Sequence, residues 1–316
     1  MSARQYISLS FVFCFMLCTS CTDNTAKNSS ERTPKNKEVY SGSLNVAIDE
    51  TLNQIMAQQI ELFEYYYDSV KVNVQYVSDD ELMRLLRNKK IDVAVFSREL
   101  TKNERDAMKS ADTLYLRELT VAYDAIAVIA KRNFNDSTLD SVRLGEYLNG
   151  KVNALDLIFD NENSSVVKYI FGKYGIASKA ESNIYAVKNA DEVINYVSEK
   201  ENSIGFISYS KISDEDEFKT KQKLKGIKVL GFNKHLGDSE IRVSANQSDI
   251  AEGVYPLTRP INTVMRLSHN DNLEWLFVNF MYRQKAARVF LKSGLIPALM
   301  PEREIKVNTE GLKSNT

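Results

Sequence analysis

The sequence predicts an α/β fold of two lobes, and three of its features carry that prediction. Between residues 44 and 96, short apolar runs alternate with stretches of helical periodicity, in the order strand, helix, strand, helix, strand. The same alternation returns from residue 155 onward. Residues 40 to 316 are also enough chain to give each set a core of its own.

The elements follow in order. Leu44 to Ile48 reads as a strand, and Thr51 to Tyr67 as a helix with Leu52, Ile55, Met56, Gln59, Ile60 and Phe63 on one face. Val70 to Tyr76 alternates strictly, a helix spans Asp80 to Asn88, and Ile91 to Phe96 has the composition of a buried strand. This order implies a parallel sheet covered by helices, which binds ligands beyond the carboxyl ends of its strands. The apolar run Leu119 to Ala130 is long enough to cross between lobes. Leu155 to Phe159 is a strand, Ser164 to Tyr174 a helix ended by Gly175, and Ile184 to Val187 a short strand. Ala190 to Glu199 is a helix and Ile204 to Tyr209 a strand. Lysines alternate with Gln, Leu and Gly over Lys219 to Lys228, a solvated loop or helix. Strands at Ile227 to Leu230 and Ile261 to Met265 precede one helix from about Asp271 to Leu291, whose buried stripe is Leu273, Leu276, Phe277, Phe280, Ala287 and Phe290.

The N-terminus has the layout of an export signal: Arg4, then an uncharged, largely apolar run from Gln5 to Ser20. Its apolar core falls short of the roughly 18 to 20 residues of a transmembrane helix. All three cysteines, Cys14, Cys18 and Cys21, lie in or at the end of this segment, so the mature domain has no thiol chemistry. Leu17-Cys18-Thr19-Ser20-Cys21 resembles a bacterial lipobox, with Cys21 as the acylated residue. The alternative is an ordinary signal peptide cut near Ser20. Two or more acyl chains hold a protein on a membrane stably, where one holds it marginally. Residues 22 to 39 are almost free of large apolar side chains and read as a disordered tether.

Charge excludes one class of function. Forty-one basic residues balance 42 acidic ones, leaving a net charge of −1 and no basic face for nucleic acid. His235 and His269 are the only histidines, too few for a histidine metal centre or a catalytic triad. No nucleophile elbow, phosphate loop or zinc-protease helix motif is present. The chain therefore reads as a non-enzyme with no cofactor and no metal.

Four ordered segments carry a resemblance to a known family. Ile91 to Thr101 followed by Asn103-Glu104 resembles a family strand that ends in serine plus arginine or aspartate before a helix. Val121 to Val128 resembles the crossing strand that follows. Asn189 to Val193 leading to Ser203 through Tyr209 resembles the family's helix and its glycine-isoleucine-glycine-tyrosine strand, and Tyr255-Pro256-Leu257-Thr258-Arg259-Pro260 resembles its Tyr-Pro-Leu-Ser-Arg-Pro turn. Together these resemble the PstS-like phosphate-binding proteins of ABC importers. The resemblance implies a type II periplasmic-binding fold with a hinge. Its expected layout is signal peptide 1–20, lipid-anchored linker 21–39, lobe one from 40–122 and 250–306, lobe two from 123–249, and a polar tail 307–316.

In that fold three strand-to-helix junctions can bring anion donors together: hydroxyls, helix N-terminal amides and an arginine. The resemblance places Thr51, Ser97 and Arg98 on one side of a small oxyanion and Ser164 and Ser165 on the other. Each of these hydroxyls can equally be a helix cap. Asp49 and Asp160 are candidate acceptors for the proton that hydrogen phosphate carries and sulfate lacks. Two departures stand out. Asp160 occupies the family's arginine position, and Asn161 to Val166 lacks the glycines of the family's Gly-Ser-Gly-Thr loop. Arg259 is either a further positive charge in the cleft or a structural residue of its turn. The implied partners are phosphate or a related oxyanion, an ABC permease, and the membrane through Cys21, on the periplasmic side. A sensor or adaptor of another envelope complex, with an altered cleft, is the rival reading.

Overall fold

The computed structural model describes residues 40–111, 116–176, 183–236, 239–266 and 273–302. Cys21, the tether, His269 and the polar tail lie outside them. Strand β1 (Gly42–Asp49) runs into a 3-10 turn at Glu50–Leu52 and helix α1 (Asn53–Tyr66). Then come β2 (Val70–Val77), α2 (Asp79–Arg87), β3 (Val93–Phe96) and α3 (Lys102–Ala111). The 16-residue β4 (Leu116–Lys131) is followed by β5 (Thr138–Leu139) and α4 (Ser141–Leu148). The second alternating set is β6 (Asp156–Phe159), α5 (Ser165–Tyr174), β7 (Ile184–Ala186), α6 (Ala190–Glu199) and β8 (Ser203–Ser208), with a 3-10 turn at Tyr209–Lys211. Next are α7 (Phe218–Gly226), β9 (Ile227–Val229), β10 (Gly231–Leu236), β11 (Ser239–Val243) and α8 (Gln247–Ala251). The chain returns through β12 (Thr258–Arg266), α9 (Leu273–Tyr282), α10 (Gln284–Lys292) and β13 (Ile296–Pro297). No helix among the described residues is long and apolar enough to cross a membrane.

The strands form one curled sheet in the order β2-β1-β3-β12-β4-β8-β6-β7, with β9 and β13 also paired to β4. Strands β1, β2 and β3 are mutually parallel, as are β6, β7 and β8, as the alternating pattern requires. Strand β4 joins the two lobes. Residues 116–125 pair with β12 and residues 126–130 with β8, so its Ala125 to Ala130 segment is buried on both faces and reads as an unbroken apolar run. A bulge near Ile261 and Asn262 shifts the β12 register against this strand. A separate three-stranded sheet, β11-β10-β5, stands apart.

Helix α5 has both of its predicted ends. Ser164 caps it, its Oγ accepting from the Val167 amide at 3.2 Å, and Gly175 closes it in the left-handed region with φ +64°. The expected helix over 271–291 is two helices. Arg283 is extended, with φ −89° and ψ 170°, and breaks the path, although the whole expected apolar stripe is buried. The lysine-rich stretch forms α7.

Close packing of α6 on β8 depends on Gly205. A Cβ there would lie 2.5 Å from Val193 Cγ1, 3.1 Å from Ile129 Cγ1 and 3.2 Å from Val197 Cγ1. Three β-branched or branched side chains must move together to admit a methyl group. Gly205→Ala is therefore expected to destabilise the protein by about 1–3 kcal/mol, read as a melting temperature lowered by several degrees.

Candidate oxyanion site

The carboxyl ends of β1, β3 and β6 deliver three hydroxyls to one point. Asp49 closes β1, and its Oδ1 accepts from the Thr51 amide at 3.0 Å, tightening the 3-10 turn and fixing Thr51. Ser97 follows directly on β3, and Ser165 is the first residue of α5. Thr51 Oγ1 lies 3.2 Å from Ser97 Oγ and 3.3 Å from Ser165 Oγ. All three residues are buried.

Arg259 completes this group. It stands directly opposite Asp124 in the β12–β4 ladder, which puts the two side chains on the same face of the sheet. Its Nη1 donates to Ser165 Oγ at 2.9 Å and its Nη2 to Thr51 Oγ1 at 3.2 Å. Nε and Nη2 donate to Asp124 Oδ2 at 3.1 and 3.0 Å. Both members of this ion pair have 0% exposed side chains. Asp124 is held further by Ser208 Oγ, which donates to Oδ2 at 2.6 Å, and by the Ser210 amide, which donates to Oδ1 at 3.1 Å. A buried carboxylate with four donors is fully satisfied. The neighbouring hydroxyls are not. Hydroxyl pairs prefer about 2.7–2.8 Å, so at 3.2 and 3.3 Å the Thr51, Ser97 and Ser165 contacts are weak and exchangeable.

Two acids border the group. Asp160, which ends the β6 junction, accepts from Ser164 Oγ at 2.6 Å. Burial pushes its carboxyl up to about 6, against the partial opposition of that hydrogen bond and of Arg259, and nearby Asp49 adds to the rise. Asp49 is itself fully buried, and its Oδ2 has no hydrogen-bond partner. A buried acceptor of this kind is able to take a hydrogen bond from any donor brought beside it.

The structure thus brings Thr51, Ser97 and Ser165 together, with Asp49 and Asp160 alongside. Ser164 is given over to capping α5 and to Asp160. Arg98 it places elsewhere. Its guanidinium donates to both Asp79 carboxylate oxygens at 2.9 and 2.8 Å, to both Glu104 carboxylate oxygens at 2.9 Å, and to the Glu99 carbonyl at 3.0 Å. All five of its N–H groups are thereby used. Ser97 and Arg98 lie in the bend that follows β3, and there the Arg98 guanidinium folds back over the Phe96 ring, 5.5 Å from its centroid, toward the acids of α2 and α3. There Lys168 of α5 also reaches Asp79 Oδ2 at 2.6 Å and Asp80 Oδ1 at 2.5 Å. The arginine in contact with the hydroxyls is Arg259, the second residue of β12, just after buried Tyr255 and Leu257. Asp124, Ser208 and Ser210 were not singled out by the sequence. The one available signal was a lone acid inside the apolar run Leu119 to Ala130, where a buried carboxylate requires a cationic partner.

Residues 28–285 match the family model described as a PBP superfamily domain, and the chain belongs to that superfamily of periplasmic-binding folds. Among solved structures, it is similar to a protein from Clostridium perfringens with bound phosphate, assigned to the substrate-binding proteins of phosphate ABC transporters. The TM-score is 0.67 at 18% identity, covering 82% of this chain and all of that one. An ABC-type phosphate transport receptor from Vibrio cholerae aligns with TM-score 0.64 at 18% identity, over 81% of this chain and 100% of its own. The sulfate-bound regulatory domain of a point mutant of OxyR2 from Vibrio vulnificus aligns with TM-score 0.51 at 11% identity, over 77% of this chain and 94% of its own. These likenesses establish the fold. No curated sequence matches the chain.

Proposed function

We propose that the chain is a solute-binding lipoprotein of the cell envelope, anchored through Cys21 on the periplasmic side, that takes up phosphate or a related small oxyanion and hands it to an ABC permease. The observation that carries this reading is the convergence of buried Arg259 with the Thr51, Ser97 and Ser165 hydroxyls, drawn from four separate segments. Thr51 and Ser165 belong to opposite halves of the sheet, so hinge opening parts them and frees their donors. Closure around a tetrahedral anion replaces three long hydroxyl and guanidinium contacts with shorter, charge-assisted ones. The first peptide amides of α5 add partial positive charge at the same point. Asp124 already neutralises Arg259, so recognition rests on directed hydrogen bonds more than on net charge.

The acids favour phosphate over sulfate. Asp49 Oδ2 is an acceptor without a donor, and hydrogen phosphate supplies one where sulfate has none. Calorimetric titration of residues 36–316 with phosphate, sulfate, amino acids and sugars tests the reading. Phosphate is expected to bind at micromolar or lower concentration and sulfate at least tenfold more weakly. Heat from amino acids or sugars alone rejects an oxyanion site.

One observation favours a second reading, a sensor or adaptor that keeps the fold and binds no solute. In the closed arrangement the four donors are bonded to one another, and all are buried. Absence of heat from every compound in the panel supports that reading.

A further inference from the structure

A cavity of about 710 Å³ borders Thr51 and Asp160. A tetrahedral oxyanion has five heavy atoms, and at about 30 Å³ per water-sized unit it needs on the order of 100 Å³. The cavity instead has the size of the pockets that hold small organic molecules, about 300–1,000 Å³. Its walls come from both halves of the sheet, and they set Lys188, Lys211, Lys219 and Lys223 among the acids Glu50, Asp160, Asp191 and Glu217.

Lys211 is the informative member. Its Nζ donates to Asn53 Oδ1 at 2.5 Å and approaches the Glu50 carbonyl at 3.5 Å, both neutral oxygens. It has no carboxylate within ion-pair distance among the described residues. Lys223 differs, being paired to Asp191 at 2.6 Å. Lys188 and Lys219 are exposed on the wall and have no ion-pair partner among the described residues. Burial lowers the Lys211 pKa, with Asp49 and Asp160 working against it, so its charge is costly and an anion beside it relieves that cost. The same cavity wall carries the amides Asn53, Gln54 and Asn161, which bond Lys211, Glu217 and Glu50 through one end or one N–H and keep further N–H groups for hydroxyls.

We infer that the solute is an organic phosphate carrying a second anionic group, with its phosphoryl group at Thr51, Ser165 and Arg259 and its second anion at Lys211. This rests on the oxyanion reading above and extends it from the donor cluster into the adjoining cavity. Inorganic phosphate leaves the cavity and Lys211 unused.

The test compares inorganic phosphate, glycerol 3-phosphate and 3-phosphoglycerate by calorimetry on the full chain, with Lys211→Met and the exposed-site double variant Lys188→Ala/Lys219→Ala alongside. The expected order is 3-phosphoglycerate tightest, at least tenfold below inorganic phosphate in Kd. Lys211→Met is expected to erase that advantage while leaving inorganic phosphate affinity unchanged, and the double variant to fold normally and weaken 3-phosphoglycerate a few-fold. Inorganic phosphate binding as tightly as 3-phosphoglycerate, or an advantage that survives Lys211→Met, overturns the inference and leaves the oxyanion reading standing. Failure of all three compounds to bind overturns both.

Discussion

Arg259→Ala is expected to destabilise the protein by about 3–5 kcal/mol, because it leaves Asp124 as an unpaired charge in the centre of the sheet. Asp124 has 0% exposure and its Oδ2 takes two of its hydrogen bonds from this guanidinium. Only Ser208 Oγ and the Ser210 amide remain as donors. The expected drop in melting temperature is on the order of 10 °C. Removing both charges separates architecture from recognition. Arg259→Met/Asp124→Leu is expected to recover most of the lost stability, since apolar replacement of a complete buried pair is often neutral or stabilising. The double variant still lacks the guanidinium that meets Thr51 and Ser165, so it is expected to fold without binding phosphate. A double variant as unstable as Arg259→Ala, measured by thermal denaturation, contradicts this account of the pair.

Asp160→Asn has the second largest expected effect, with the opposite sign. The folded-state carboxyl is raised from 3.8 to about 6, chiefly by burial. Between these values the native state keeps a proton that the unfolded chain has released, so stability falls as pH rises through the window and levels off above it. At 1.36 kcal/mol per unit the cost above pH 6 reaches roughly 3 kcal/mol. Asparagine keeps an oxygen to accept from Ser164 Oγ and carries no charge. Asp160→Asn is therefore expected to stabilise the protein at pH 8 by up to that amount, with the gain shrinking below pH 6 and absent below about 3.8. Denaturant unfolding at pH 8 and pH 3.5 checks it. A gain of equal size at both values assigns the effect to something other than ionisation.

Much of the architecture was legible because its elements carry strong local patterns. Helix α5 has a serine cap, an apolar stripe and a terminal glycine that agree with one another, and β4 is an apolar run longer than one sheet face needs. Helix α4 and the β10–β11 hairpin carry weaker local patterns. The break at Arg283 was hidden because the apolar stripe runs on across it, so periodicity alone gave one helix where the backbone makes two.

The candidate site was legible in part, for a similar reason. Thr51, Ser97 and Ser165 each follow a strand at its carboxyl end, and that position can be read from the chain. Arg98 shows the limit of adjacency: the residue beside Ser97 turns away in the bend after β3 and joins an ionic network with Asp79, Glu104 and Lys168. Arg259 and Asp124 are 135 residues apart, and only the pairing of β12 with β4 makes them partners. Their meeting is a property of sheet order, which a single sequence states weakly. The orphan oxygen of Asp49 is likewise a matter of packing.

The location of the anion is the central claim, and arsenate, a heavier analogue of phosphate, tests it directly. A crystal of residues 36–316 grown with arsenate is expected to show the arsenic anomalous peak within hydrogen-bonding reach of Thr51 Oγ1, Ser165 Oγ and an Arg259 N–H, with an arsenate hydroxyl facing Asp49. A peak beside Arg98 and Asp79, or the closed donor cluster unchanged with no peak near it at saturating arsenate, contradicts the account.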